Sequence, residues 1–123
     1  MNTAILSLGS NSADKKNQIA RCIEWIKSHS QLQSASSIYC TPATNGCGSI
    51  YSNAVVKIAT EYAEEEYIKL TKQYERSCGR TPQSKTHGVI PIDIDVVIWN
   101  GETIRPKDFS QNYFAIGWQE IAK

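Results

Sequence analysis

The chain has 123 residues, 41% of them apolar and 20% charged, enough for one hydrophobic core and too apolar for general disorder. Its 13 basic and 12 acidic side chains leave a net charge of +1, which argues against a broad basic surface for nucleic acid. No apolar run is long enough for a bilayer and none near the N-terminus carries a secretory cleavage pattern, so a single cytoplasmic domain over residues 1–123, with no membrane partner, is expected. Thr3 to Leu8 reads as a strand that stops at the Gly9-Ser10-Asn11 turn. A helix follows from about Asp14 to Ser28, its apolar stripe made by Ile19, Cys22, Ile23 and Ile26, with Ser12 or Asp14 as its cap.

Ser34 to Cys40 is the second strand, ending before Thr41-Pro42, and Ala43 to Ser49 is a loop by composition. Ile50 to Thr60 is the third strand, rich in β-branched and aromatic residues. Thr60 can cap a second helix, from about Tyr62 to Cys78, whose face carries Tyr67, Leu70, Tyr74 and Cys78. Gly79 suits the left-handed position after a helix end. In the fourth strand, Ile92 to Trp99, alternation sends Ile92, Ile94, Val96 and Ile98 one way and Asp93, Asp95, Val97 and Trp99 the other. Asn100-Gly101 signals a tight hairpin back through Glu102 to Ile104, and a short helix is expected around Trp118 to Ala122. The order is strand, helix, strand, strand, helix, strand. The expected fold is α+β: a ferredoxin-like β-α-β-β-α-β sandwich, an antiparallel sheet with two helices on one face plus a C-terminal hairpin.

The four cysteines form no C-x-x-C pair, so neither a zinc knuckle nor a thioredoxin-type site has support. Cys22 and Cys78 fall on helix stripes and read as buried thiols, and Cys47 as an exposed one in a loop.

Asp93 and Asp95 are the most informative pair. Asp is disfavoured in strands, yet these two share one side of a strand, with side chains roughly 6.5–7 Å apart along it. Carboxylates so spaced suit Mg²⁺, which takes a few carboxylate oxygens, waters and phosphate oxygens. Arg80 and Lys85 are candidate phosphate ligands at the start of the long connection from Thr81 to Pro91, a candidate lid; Lys85 taken alone, like His87, reads as an ordinary exposed residue. Gly9-Ser10-Asn11 lacks the spacing and lysine of a phosphate loop. Asn53 pairs a donor with an acceptor, as a planar heterocyclic amide requires, and Tyr51, on the same side, offers a stacking face.

Taken in order, these residues resemble a known family. The set is LGSN at 8–11, Tyr-x-Thr-Pro at 39–42, Tyr-x-Asn at 51–53, Glu75-x-x-x-Gly79-Arg80, and Ile-Asp-Ile-Asp at 92–95 with Asn100-Gly101 behind it. Its order and spacing are similar to the 6-hydroxymethyl-7,8-dihydropterin pyrophosphokinases of the folate pathway. The resemblance implies ATP and two Mg²⁺ ions, with the β,γ-pyrophosphoryl group of ATP passing to the pterin hydroxymethyl oxygen and AMP released. It makes Asp93 and Asp95 the metal-binding carboxylates, with Arg80 beside them in the catalytic set. Thr41, Pro42, Tyr51 and Asn53 become the pterin pocket, and Phe114 its second aromatic. Glu75, Arg80, Lys85 and Ile94 fall on the nucleotide side. The implied partners are small molecules, handled by a monomer with room for association with another folate-pathway enzyme.

Two departures bear on activity. Where the family has Trp-Gly-Pro-Arg before the aspartates, this chain has His87-Gly88-Val89-Ile90. The tail from Arg105 to Phe114 lacks the family's Pro-His pair and the arginine after it. Lys85, Arg105 and Lys107 are candidate replacements. Two readings stay open: the pyrophosphokinase itself, or a catalytically impaired relative that binds a pterin or nucleotide as a binding or partner module.

Overall fold

The computed structural model describes residues 1–44 and 49–122, with Lys85 described by its backbone alone; the exposed-thiol reading of Cys47 and the side chain of Lys85 lie outside the described residues. Strand β1 (Asn2–Ser10) leads into helix α1 (Lys15–His29), and strands β2 (Gln31–Ala35), β3 (Tyr39–Pro42) and β4 (Ile50–Thr60) follow. Helix α2 (Glu64–Ser77), the short helix α3 (Ser84–His87), strands β5 (Asp93–Trp99) and β6 (Glu102–Thr103), and helices α4 (Pro106–Phe109) and α5 (Asn112–Ile121) complete the described chain. All pairs are antiparallel in the order β2-β4-β1-β5-β6, with β3 also on β4. Among the described residues no helix is long and apolar enough to cross a membrane.

The sheet follows from the split arrangement expected. Helices α1 and α2 each carry the chain past one intervening strand, which puts both on one face. Ile19, Cys22 and Ile26 of α1 and Tyr67 of α2 bury against Leu6, Leu8, Val56, Ile58, Ile92 and Ile94. Each such aliphatic side chain stabilises the fold by about 1.5–3 kcal/mol. Trp25 and Tyr74 stack between the helices with ring centroids 4.7 Å apart. Gly79, at φ +98°, ends α2 as expected. Asn100 and Gly101 both have positive φ, as a two-residue hairpin turn requires.

Several expectations change. β1 runs on through Gly9 and Ser10, because both pair with β4 and Gly9 pairs with β5 as well. The second strand is two strands, and Ser36 explains the break. Its backbone N–H donates to the Val55 carbonyl at 2.8 Å, while its hydroxyl accepts the Val55 N–H at 2.9 Å. A side chain thus replaces one rung of the ladder, and Thr41 and Pro42 lie within β3. Asp14 occupies the cap position of α1, but its carboxylate engages Ser12, Gln18 and Arg21 and no helix amide. Thr60 accepts the Tyr62 N–H ahead of α2; the cap is Ala63, whose N–H goes to Glu66. The buried stripe of α2 carries Thr71 and Glu75 beside Tyr67, with Leu70 only half-buried.

The alternation of β5 breaks near its end. Leu6 pairs with Val96 and Ile5 with Ile98, so Val97 is an extra residue in the ladder. Beyond this bulge the faces exchange: Ile98 joins Val97 on the far side and Trp99 turns in beneath the helices. A one-residue slip does this because strand side chains repeat every two residues.

The far face is not open along its whole length. Helix α5 starts six residues earlier than the helix expected there and packs Phe114 on Ile5, Val55, Val97 and Ile98. Gly117 lets it come close, since a Cβ there would sit 2.6 Å from Val55 Cγ2 and 2.8 Å from the Tyr39 hydroxyl. That hydroxyl accepts the Gly117 N–H at 3.1 Å and donates to the Tyr113 carbonyl, bridging one turn of the helix. Burial pushes the Tyr39 phenol up to about 12. Glu120 accepts the backbone N–H and hydroxyl of Ser37, a second tie between α5 and the β2–β3 edge.

Candidate active site

Beyond the end of α5, the far face of the sheet holds a cavity of about 160 Å³. Cross-strand register places its floor. Gly9 stands between Asn53 on β4 and Asp93 on β5, and Ser7 stands beside Asp95. Asn53 and Asp93 are therefore two strand spacings apart, roughly 10 Å, with no side chain between them. A Cβ on Gly9 would meet Asn53 Oδ1 and Tyr51 Cδ2 at 3.6 Å each, so glycine keeps the floor flat. Thr41, Pro42 and Tyr51 form one wall and Tyr113 the other. Asn53 is buried, and its amide nitrogen donates to Thr41 Oγ1 at 2.8 Å, which leaves Oδ1 on the Gly9 side as the acceptor.

Thr41, Pro42, Tyr51, Asn53, Asp93 and Asp95 thus meet in one cavity. Phe114 does not join them. It is fully buried beneath α5, stacked on Trp118, and Tyr113 faces the cavity instead. Helical phase is the reason: Phe114 lies wholly within the inward cluster, whereas its neighbour Tyr113 packs only at the edge of that cluster and also lines the cavity.

β6 pairs with β5 only at Ile98 and Trp99, which leaves the Asp93–Val96 edge facing α2. Side chains of α2 satisfy it. Glu75 Oε2 accepts the Ile94 N–H at 2.8 Å and Lys72 Nζ donates to the Ile94 carbonyl at 2.9 Å. Glu75 is thus a buried hub that also binds Lys72 at 3.1 Å and Arg80 at 3.2 Å. Ile94, expected beside the nucleotide, has a buried side chain and a backbone already occupied. Arg80 donates to Asp93 at 2.7 Å and to the Ile92 carbonyl at 3.3 Å. A second cavity, about 240 Å³, follows this edge past Ile68, Lys72 and Arg105, and Asp95 lines both cavities. Sequence reasoning missed Lys72, which looks like any exposed helix lysine until β5 is laid beside it.

The connection from Thr81 to Pro91, read as a candidate lid, carries α3 and is tied to the end of β1. Asn11 donates to the Gly88 carbonyl at 2.7 Å and accepts the Ile90 N–H at 2.6 Å. His87 is exposed, and Ile90 is buried.

The two aspartates are shifted in opposite directions. Burial would raise the Asp93 carboxyl, but the hydrogen bond and charge of Arg80 outweigh it and hold the group below its ordinary value. Asp95 is pushed up to about 7 by burial and by the negative Asp93 beside it, against the opposing charges of Lys72 and Arg105. Two oxygen-donor carboxylates crowded on a polar cleft fit a hard divalent cation, which would relieve their repulsion and complete its shell with water and phosphate oxygens.

The fold and this site define a ferredoxin-like α+β protein with a carboxylate-bearing cleft for a small molecule. The family model for 7,8-dihydro-6-hydroxymethylpterin-pyrophosphokinase matches residues 5–123, and the chain belongs to that family. It is 31% identical over 109 residues to the 2-amino-4-hydroxy-6-hydroxymethyldihydropteridine pyrophosphokinase of Aquifex aeolicus, covering 87% of this chain and 67% of that protein. The protein of that name in Porphyromonas gingivalis is 33% identical over 98 residues, 76% of this chain and 66% of its own length. The folic acid synthesis protein FOL1 of Dictyostelium discoideum is 29% identical over 108 residues, 87% of this chain but 16% of its own length. The chain thus spans about two-thirds of the bacterial relatives and a small part of FOL1.

Proposed function

We propose that this chain transfers the pyrophosphoryl group of ATP to 6-hydroxymethyl-7,8-dihydropterin, releasing AMP. The observation that carries this reading is the meeting of Tyr51, Asn53, Thr41 and the Asp93–Asp95 pair in one cavity of a chain of this family. Asn53 recognises the N–H edge of the heterocycle through Oδ1, fixed by the bond its amide nitrogen makes to Thr41. A buried amide that must be paired discriminates sharply, because a ligand lacking the matching group leaves it unsatisfied. Tyr51 and Tyr113 offer ring faces on the two walls. The pterin so held would direct its hydroxymethyl arm along the floor toward Asp93 and Asp95.

Asp93 and Asp95 would hold Mg²⁺, two ions by analogy with the family, which when bound offset the charge of the triphosphate. Arg80 and Glu75 keep Asp93 and the β5 edge in place. The nucleotide is assigned to the edge cavity beside Lys72, which meets the pterin cavity at Asp95.

A second reading, binding without turnover, is favoured by Ile90: a buried aliphatic side chain stands where the family resemblance expects a phosphate-binding arginine. One experiment separates the two. The protein is incubated with ATP, Mg²⁺ and 6-hydroxymethyl-7,8-dihydropterin, and AMP is measured. We expect AMP from the wild type and at least a hundredfold less from Asp95→Ala. Pterin binding with AMP no higher than in Asp95→Ala would leave the second reading; neither binding nor AMP would remove both.

A further inference from the structure

We propose that Arg105 is a phosphate-binding residue of this site, and that Asp108 holds it there while also fixing the aromatic wall at Tyr113. The proposal rests on the pyrophosphokinase reading above and deepens it. Three described cations stand around the aspartate pair, and they differ in what their donors are doing. Lys72 is engaged by Glu75 at 3.1 Å and by the Ile94 carbonyl at 2.9 Å. Arg80 is engaged by Glu75, Asp93 and the Ile92 carbonyl. Arg105 gives Nε to Asp108, but its Nη2 stands 3.6 Å from Asp95, beyond a normal hydrogen bond. Its side chain is 50% exposed and lines the edge cavity, whereas Asp108 is only 13% exposed.

This is more than a surface ion pair. The same Asp108 carboxylate accepts the Tyr113 hydroxyl, and Tyr113 lines the pterin cavity. One largely buried carboxylate therefore orients both a guanidinium at the mouth of one cavity and a ring on the wall of the other. Asp95, the residue common to both cavities, lies 3.6 Å from the outer guanidinium nitrogen Nη2. A polyphosphate lying across Asp95 would meet these donors first, and the planar fork of arginine matches phosphate oxygens bidentately. Anchoring through Nε leaves Nη1 and Nη2 for the ligand, so binding need not break the Asp108 contact.

The test is equilibrium binding of α,β-methylene-ATP, of adenosine and of 6-hydroxymethylpterin, each with Mg²⁺, to the full chain. Arg105→Ala is expected to weaken α,β-methylene-ATP at least tenfold, with adenosine and pterin affinities within twofold of wild type. Arg105→Lys should recover part of the loss, since it restores the charge without the fork. Asp108→Asn should weaken both the ATP analogue and the pterin, because it loosens Arg105 and Tyr113 together. Unchanged affinity of Arg105→Ala for the ATP analogue overturns the proposal, as does an equal loss for all three ligands, which would mark a structural role. If wild type binds neither the ATP analogue nor the pterin, the parent reading fails first, and that is seen before any variant is made.

Discussion

Gly9 shows how much one missing side chain decides. Its two cross-strand partners, Asn53 and Asp93, are the amide and carboxylate ends of the cavity, and the space between them is its floor. A methyl group there makes ordinary contacts at 3.6 Å, so nothing in the fold resists it, and strand propensity favours it slightly. Gly9→Ala is therefore expected to leave the melting temperature unchanged or slightly higher while weakening pterin binding about tenfold or more, some 1.4 kcal/mol. A calorimetric titration beside a thermal melt reads both quantities; a variant that binds normally would mean the ring does not lie on that floor. The Tyr113–Phe114 pair makes a related point. Adjacent aromatics look equivalent in a list of residues, yet a helix turns them about 100° apart, and only the buried stripe of α5 decides which one reaches the cavity.

At the scale of elements, α5 turns a bare sheet face into one wall of a cavity. Its position depends on Gly117, whose N–H meets the Tyr39 hydroxyl and where Val55 leaves no room for a Cβ. Gly117→Ala gains helix propensity worth about 1 kcal/mol but drives a Cβ to 2.6 Å from Val55 Cγ2. Overpacking of this kind costs about 1–3 kcal/mol, so the net effect is destabilising or near neutral in free energy, with α5 displaced outward in either case. We expect a urea midpoint that is unchanged or lower together with weaker pterin binding, because Tyr113 moves with the helix. An unchanged midpoint and unchanged affinity would show that the sheet and helix give way without disturbing the wall.

Across the whole molecule, the site is a local concentration of opposed charges inside a nearly neutral chain. Asp93, Asp95 and Glu75 crowd the open edge of β5, offset by Lys72, Arg80 and Arg105. In chelator-treated protein the repulsion between the two aspartates opposes folding, and Asp95→Asn removes it. That variant should melt higher than wild type at pH 8 without divalent cation. Added Mg²⁺ should raise the wild-type melting temperature and leave Asp95→Asn nearly unmoved; at a concentration 100 times the dissociation constant, binding stabilises by about 2.7 kcal/mol. A wild type indifferent to Mg²⁺, with or without nucleotide, would mean that the pair holds no cation.

The sequence by itself determined the strand-helix-strand-strand-helix-strand order of the core, and with it the split arrangement of the sheet, because the repeats of strand and helix are local properties of the chain; the break of its second strand at Ser36 came only with the structure. It also made the Asp93–Asp95 and Tyr51–Asn53 pairs visible, since residues two apart on a strand must share a face, and it marked the hairpin at Asn100-Gly101 through the backbone freedom those residues allow. What the tertiary structure alone decided depends on what lies opposite. The bulge at Val97 is a property of β5 against β1, and it reverses the faces of Ile98 and Trp99. Glu75 became a buried hub and Lys72 an edge ligand only once α2 lay along β5. Tyr113 replaced Phe114 on the cavity wall because α5 had to bury one stripe on Val55, and a short periodic segment interrupted by glycine does not announce which stripe that will be.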